Sequence, residues 1–534
     1  MSTRHKNSTA LSNPLMTRCL AKAKTFRREE DGVLVKPMIG TFLAMLAIGG
    51  IGVDLMRMER DRTNLQYTLD RAVLAAADLD QQQAPAAVVQ DYLSKAGLSE
   101  YYSAPMVQEG LGYKSVESTI NTDFNAHMLK FAGGGDLPMY ANSRAEETIG
   151  SVEISMVLDI SGSMNSNSRL TNLKAAAHTF VDQITQNTDV TNLSISIIPY
   201  ATQVNVGQAL LSKYTNVSQE HNYSYCVNFI KDQFSKHTLD RYEVMQRTAH
   251  FDTFTYSMNM IDRPVCPTRE GSAILPFTND ATTLHDYIDS LTAYGNTSID
   301  IGMKWGSALL DPTARSVVND LISDGEIDAT FLNRPTDYGS GDTLKIIILM
   351  SDGQNTNQYM LNPSRREGQS DVWYNAEANV FSVYNPSDGP TGYDYYWYPQ
   401  NQWEDHRYGE DPLNSEVGTS VQLEYPELFA RVSLASIARY LYRNTSDAWA
   451  NWYTAGRYFH NRVAKDQHTK AICDITKDQG VMVYSVGFEA PTAGIKVLED
   501  CASSPAHFFD VEGLEISEAF SSIATSIRQL RLTQ

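Results

Sequence analysis

Ile154-Ser155-Met156-Val157-Leu158-Asp159-Ile160-Ser161-Gly162-Ser163 is an apolar run that ends in one carboxylate and two hydroxyls. The run reads as a buried strand, and the Asp-x-Ser-Gly-Ser that closes it reads as a tight turn at the strand's carboxyl end. Oxygen ligands of this kind suit a hard divalent cation: Mg2+ takes near-octahedral oxygen ligands and keeps several waters. An ordinary strand-end turn has the same composition, so the rest of the chain must decide between the two.

Two further segments fit the same site. Gly295-Asn296-Thr297-Ser298-Ile299-Asp300 opens a helical pattern carried by Ile301, Trp305 and Leu309. Leu344-Lys345-Ile346-Ile347-Ile348-Leu349-Met350 is a second buried-type strand, running into Ser351-Asp352-Gly353. D-x-S-G-S, then G-N-T before a helix, then a strand ending in S-D-G, resembles the metal-ion-dependent adhesion site of von Willebrand factor A (VWA) domains. The resemblance implies a divalent-cation site for Mg2+ or Mn2+, with Asp159, Ser161 and Ser163 in the first ligand loop, Thr297 in the second and Asp352 in the third. It also implies a partner that offers a Glu or Asp carboxylate.

From residue 151 onward, strand and helix patterns alternate, which predicts an α/β fold with a doubly wound sheet. Strands are expected at Glu153 to Leu158, Asn192 to Pro199, Leu344 to Met350, Val481 to Gly487 and His507 to Asp510, with helices at Arg169 to Gln186 and Glu512 to Leu530. Ligands of open α/β sheets sit outside the carboxyl ends of the strands, where Asp159 and Asp352 fall. Two long insertions, at about 207–271 and 354–425, interrupt this 151–534 region and should emerge beside the metal face. The second carries Trp373, Tyr374, Tyr384, Tyr393, Tyr395, Tyr396, Trp397, Tyr398 and Trp403. Such residues suit either a contact surface or a self-packed core, and the sequence leaves both open.

The first 150 residues have a different character. Residues 1–32 form a basic tail (Arg4, Lys6, Arg18, Lys22, Lys24, Arg27, Arg28). Pro37 to Val53 holds no charge, and with the residues before it the segment 33–55 is long enough, at about 1.5 Å per helical residue, to cross a hydrocarbon layer of about 30 Å. A cleaved signal peptide is the competing reading, opposed by the long polar lead and the lack of an A-x-A site. The basic tail puts the N-terminus in the cytoplasm and the body outside a bacterial cell membrane, although Arg57, Arg60 and Arg62 weaken the asymmetry. Leu65, Leu69, Ala72, Ala76 and Leu79 continue the helix as a pilin-like stalk over 56–84, ended by Gln81-Gln82-Gln83 and Pro85. Residues 85–150 read as a small, strand-rich α+β unit.

Composition excludes other classes. In 534 residues, 42% hydrophobic content supports sizeable cores, and a net charge of -20 opposes nucleic-acid binding because a phosphate backbone would be repelled. No G-x-x-x-x-G-K-[ST], H-E-x-x-H or G-x-S-x-G motif is present, so the chain reads as a non-enzyme with no catalytic residues. Isolated histidines such as His406 and His460 lack zinc-site spacing. Cys19 falls on the cytoplasmic side. Cys226, Cys266, Cys473 and Cys501 form an even extracytoplasmic set with three possible pairings, of which placement in the expected fold favours Cys226–Cys266 and Cys473–Cys501.

Taken together with Cys266-Pro267, Ile274 to Thr278, Gly295-Asn296-Thr297 and Trp305-Gly306, the chain resembles the TadG-type proteins of the bacterial tight-adherence (Tad/Flp) pilus apparatus, with a TadE-like membrane-anchored N-terminus. It departs from prepilins, since Gly32 is followed five residues on by Pro37 and no Glu stands there. The resemblance implies a minor surface component that binds other pilus-assembly or envelope proteins. Within it two roles stand open: an adhesion module that needs its metal for binding, or a structural scaffold whose metal only ties loops together.

Overall fold

The structure is a computed structural model of mixed α/β character, and it describes residues 34–78, 81, 83–110, 113–148, 150–185, 190–339 and 343–533. The basic tail, Cys19 and the first residue of the expected span lie outside these. The chain divides into two compact units, Met1–Thr148 and Ile149–Gln534.

In the first unit, helix α1 (Val35–Ala77) runs without a break from the expected span into the stalk. Among the described residues it is the one helix long and apolar enough to cross a membrane. Its two halves face different surroundings. Met38, Phe42 and Ile48 are exposed, whereas Leu65, Leu69, Ala72 and Ala76 are fully buried against Val88, Val89 and Leu93 of α2 (Pro85–Lys95) and against the strands that follow. Gln66 fixes the register of that packing by donating to the Asn142 carbonyl at 2.7 Å and accepting from the Asn142 amide at 3.2 Å. The helix stops at Ala77, short of the expected 84, and Pro85 opens the next helix. Its missing N–H costs nothing at a helix start, where that donor has no partner in any case. Strands β1 (Met106–Gly110), β2 (Tyr113–Phe124) and β3 (Leu137–Thr148) form an antiparallel sheet in that order.

The second unit is built on a six-stranded sheet. Its members are β4 (Ser151–Asp159), β5 (Leu193–Tyr200), β6 (Leu275–Thr278), β7 (Thr343–Ser351) and two late strands at Met482–Phe488 and Phe508–Val511, and only β6 runs antiparallel. Strands buried on both faces are rich in apolar residues, and β4, β5 and β7 are mainly apolar and buried along almost their whole length, with buried Glu153 and Lys345 paired to each other at 2.6 Å. Helices cover both faces. On one lie α3 (Arg169–Thr185), α4 (Ala281–Ser290) and the C-terminal helix Glu515–Thr533, through Phe180, Leu284, Phe520 and Ile523. On the other lie α5 (Ile299–Ala308) and the helices Arg462–Asp478 and Thr492–Cys501, through Met303, Trp305, Ile472 and Leu498. Disulfides join Cys226 to Cys266 and Cys473 to Cys501, the second linking helix Arg462–Asp478 to helix Thr492–Cys501.

After β7 the chain leaves the sheet and returns only at helix Arg462–Asp478, beyond the expected end near 425. A five-stranded antiparallel sheet occupies much of the excursion: β8 (Gln369–Asn375), β9 (Val380–Tyr384), β10 (Tyr395–Tyr398), β11 (Gln402–Glu404) and β12 (Ser420–Glu424). Leu434, Ile437 and Leu441, in the helical turns that follow, are buried in the core of this sheet and not in that of the main one. The aromatic run is largely internal to it. Tyr396 and Trp397 are buried, Trp373 meets Tyr395 at 5.8 Å and Tyr396 meets Trp403 at 5.5 Å, while Tyr384 and Tyr393 remain exposed.

Candidate metal centre

Parallel pairing in register sets the geometry of the site. Leu158 of β4 lies opposite Met350 of β7, so Asp159 and Ser351-Asp352 leave neighbouring strands at the same level. Asp159 is fully buried; one carboxylate oxygen accepts from the Ser161 amide at 2.8 Å and the other from the Ser351 hydroxyl at 2.6 Å. The hydroxyls of Ser161 and Ser163 are 3.1 Å apart, and Ser163 donates to Asp352 at 2.7 Å.

Thr297 arrives from the turn before α5. Gly295, at φ +100°, lies in a region that L side chains rarely adopt, and its carbonyl accepts from the Gly162 amide at 2.9 Å, tying the second loop to the first. A methyl placed on Gly353 would lie 3.8 Å from the Thr297 hydroxyl and 4.0 Å from that of Ser163, so both hydroxyls border the small space above this glycine. All five expected residues therefore gather at one end of the sheet. Asp159, Ser161, Ser163 and Asp352 form one continuous hydrogen-bonded chain, and Thr297 flanks it.

Electrostatics oppose two naked carboxylates here. Burial, followed by the charge of Asp352, pushes the Asp159 carboxyl up to about 7. Burial also raises Asp352, partly offset by Ser163 and by the Arg169 guanidinium. Arg169 donates to Asp352 at 2.9 Å and to Glu489 at 2.8 Å, bridging the site to the loop after strand Met482–Phe488.

Sequence reasoning gave no role to Arg169, Glu489, Ser351 or Lys465. The Lys465 ammonium is buried and donates to the Thr297 carbonyl at 2.8 Å, the Ser298 hydroxyl at 2.6 Å and the Thr356 carbonyl at 3.0 Å; desolvation lowers it to about 8. It holds the second loop from beneath. Ser351 stands inside the S-D-G motif and was readable from it, whereas Lys465 sits in no motif. Next to the ligand loops lies a cleft of about 390 Å3, bordered by Gly295, Asn296, Phe254, Arg263, Tyr294 and Tyr359. The Arg263 guanidinium lies 5.5 Å from the Tyr294 ring centre.

The donor set, two carboxylates and three hydroxyls, is the oxygen-only chemistry that hard dications favour. The mutual repulsion of Asp159 and Asp352 is of the kind that a +2 ion relieves.

Comparison with known proteins places residues 32–79 in register with the Flp pilus-assembly TadE/G-like (Tad) family. Among curated proteins no relative matches this chain. Among solved structures, the vWF domain of the type V pili tip protein Mfa5 from Porphyromonas gingivalis aligns over 72% of this chain and 96% of its own, at 15% identity and a TM-score of 0.32. The PilB minor pilin from Streptococcus sanguinis aligns over 80% of this chain and 77% of its own, at 11% identity and a TM-score of 0.28. The pilus adhesin SpaC from Lactobacillus rhamnosus GG aligns over 80% of this chain and 34% of its own, at 11% identity and a TM-score of 0.27.

Proposed function

We propose that this chain is a membrane-anchored, extracytoplasmic protein of the Tad/Flp pilus apparatus, with a VWA-type head interrupted by two long insertions, and that the head binds a protein partner through a divalent cation. The observation that carries the reading is the convergence of Asp159, Ser161, Ser163, Thr297 and Asp352 from three separated segments at the carboxyl end of the sheet. Mg2+ or Mn2+ held there would offer an open position to a partner's Glu or Asp carboxylate. Asp159 and Asp352 supply charge, directly or through water, and the three hydroxyls supply neutral ligands, so the ion has no anionic partner beyond those two and stays receptive to a further carboxylate. Lys465 and the Gly162–Gly295 bond hold the loops in place. The adjoining cleft, with Arg263 at its edge, gives the partner further contact area.

The family match over residues 32–79 and the apolar first half of α1 support anchoring in the membrane. The reading assigns no catalysis, since the serine hydroxyls are committed to ligation and to each other. One observation favours the alternative, a scaffold with a purely structural metal: Arg169 already neutralises Asp352, and both oxygens of Asp159 are hydrogen-bonded. Binding of the purified chain to pilus components or host-cell matrix, measured with Mg2+ and with EDTA, separates the two. Adhesion requires metal at the moment of binding; equal binding in EDTA by a folded chain would leave the scaffold role.

A further inference from the structure

Away from that centre, α3 and α4 each carry a His followed four residues later by an Asp, His178 with Asp182 and His285 with Asp289. That spacing puts both side chains on one helix face. The pairs are crossed. His178 Nε2 bonds Asp289 at 2.9 Å and His285 Nε2 bonds Asp182 at 3.0 Å, while the two Nδ1 atoms meet one another edge to edge, the ring planes 23° from parallel and their centres 4.6 Å apart.

An ionised carboxylate only accepts, so each Nε2 must carry the hydrogen of its bond. In the neutral ring the lone pair then sits on Nδ1. Two such lone pairs directed at each other repel unless an electrophile lies between them. The outer carboxylates stand where metal-bound histidines usually have them, fixing the tautomer and orienting the ring.

We propose that His178 and His285 bind a borderline transition-metal dication of the Zn2+ class, through both Nδ1 atoms and with waters in the remaining positions. Side-chain exposures of 28% and 27% leave the pair open to solvent on one side, which admits the ion and its waters. Zn–N bonds of about 2.0–2.1 Å in a tetrahedral site put the two nitrogens about 3.3 Å apart, so the rings must part and tilt to admit the ion. Imidazole nitrogen selects Zn2+, Ni2+ or Cu2+ over Mg2+, so this site and the oxygen-lined centre take different metals. A metal here would cross-link the helix that follows the first ligand loop to the helix that precedes the second, because α3 starts six residues after Ser163 and α4 ends five before Gly295. The inference does not depend on the function proposed above.

The test is calorimetric titration of Zn2+ into the untagged full-length chain in detergent, with Mg2+ saturating. Wild type should bind one Zn2+ more than either His178→Ala or His285→Ala, and Zn2+ should raise the melting temperature of wild type more than that of either alanine variant. Asp182→Asn and Asp289→Asn should retain that equivalent with affinity lowered about 10–100-fold. Zn2+ bound elsewhere, as at Glu404, Asp405 and His406, would survive all four substitutions and cancel in the comparison. No bound Zn2+, or the same stoichiometry in wild type and both alanine variants, would overturn the proposal and leave a proton shared between the rings. Should an alanine variant fail to fold, unchanged affinity in both asparagine variants would do the same.

Discussion

Asp159 and Asp352 crowd two carboxylates into a buried site, and this has a consequence that pH exposes. The folded chain holds a proton on Asp159 up to about pH 7, whereas an unfolded aspartate releases it near 4. Between those values the native state binds more protons than the unfolded state, so the stability of the metal-free chain falls as pH rises and levels off above about 7. Mg2+ competes with that proton, so its affinity should rise across the same window. Thermal melts from pH 4 to 8, with EDTA and with Mg2+, should diverge as pH increases; parallel curves would contradict the account. Arg169 acts on the same pair. Arg169→Met should lower metal-free stability by about 1–3 kcal/mol by removing charge-assisted hydrogen bonds. With Mg2+ bound the loss should be smaller, because a cation again faces Asp352. Urea unfolding under the two conditions measures the difference, and an equal loss in both would mean that Arg169 is merely structural.

At the scale of elements, the site depends on how closely the helix Thr492–Cys501 approaches Gly353. A Cβ on Gly494 would lie 2.1 Å from the Gly353 carbonyl oxygen, a contact that backbone cannot yield cheaply. Gly494→Ala should therefore push the third ligand loop and weaken Mg2+ binding, although Gly494 is no ligand; calorimetry that found wild-type affinity in a folded variant would refute this. The elements bearing the site were legible because β4 and β7 carry mainly apolar stretches, Ile154 to Leu158 broken only by Ser155 and Ile346 to Met350 unbroken, that run into Asp, Ser and Gly, a pattern that strand burial and turn chemistry both favour. The extent of the excursion after β7 was not. Leu434, Ile437 and Leu441 have the spacing of a helix on the main sheet, and only tertiary structure reveals that they cover the inserted one. The aromatic run was ambiguous for a related reason, since alternating Tyr and Trp suits a contact face and a small sheet's own core equally. Arg169 was illegible as a partner because Asp352 lies 183 residues away, a pairing that no local pattern encodes.

For the whole molecule, the proposed arrangement sets a helix half in lipid and half packed on a small sheet, followed by an acidic head outside the membrane. Protease added to spheroplasts should degrade the chain beyond residue 55 and spare a tag at Met1; a protected body would reverse the topology. The head's role rests on the cation. The most direct measurement is a calorimetric titration of Mg2+ into the full-length chain at pH 7.5, beside Asp159→Asn and Ser163→Ala. Asp159→Asn keeps the shape of the side chain and one of its two acceptors, its amide group being able to donate to the Ser351 hydroxyl instead, but it removes a charge that attracts a +2 ion, whereas the Ser163 hydroxyl can be replaced by water at smaller loss. The account predicts one Mg2+ per wild-type chain at millimolar concentration or below, weaker binding by Ser163→Ala and none by Asp159→Asn. A wild-type chain that binds neither Mg2+ nor Mn2+, or an Asp159→Asn chain that binds as tightly as wild type, would contradict it.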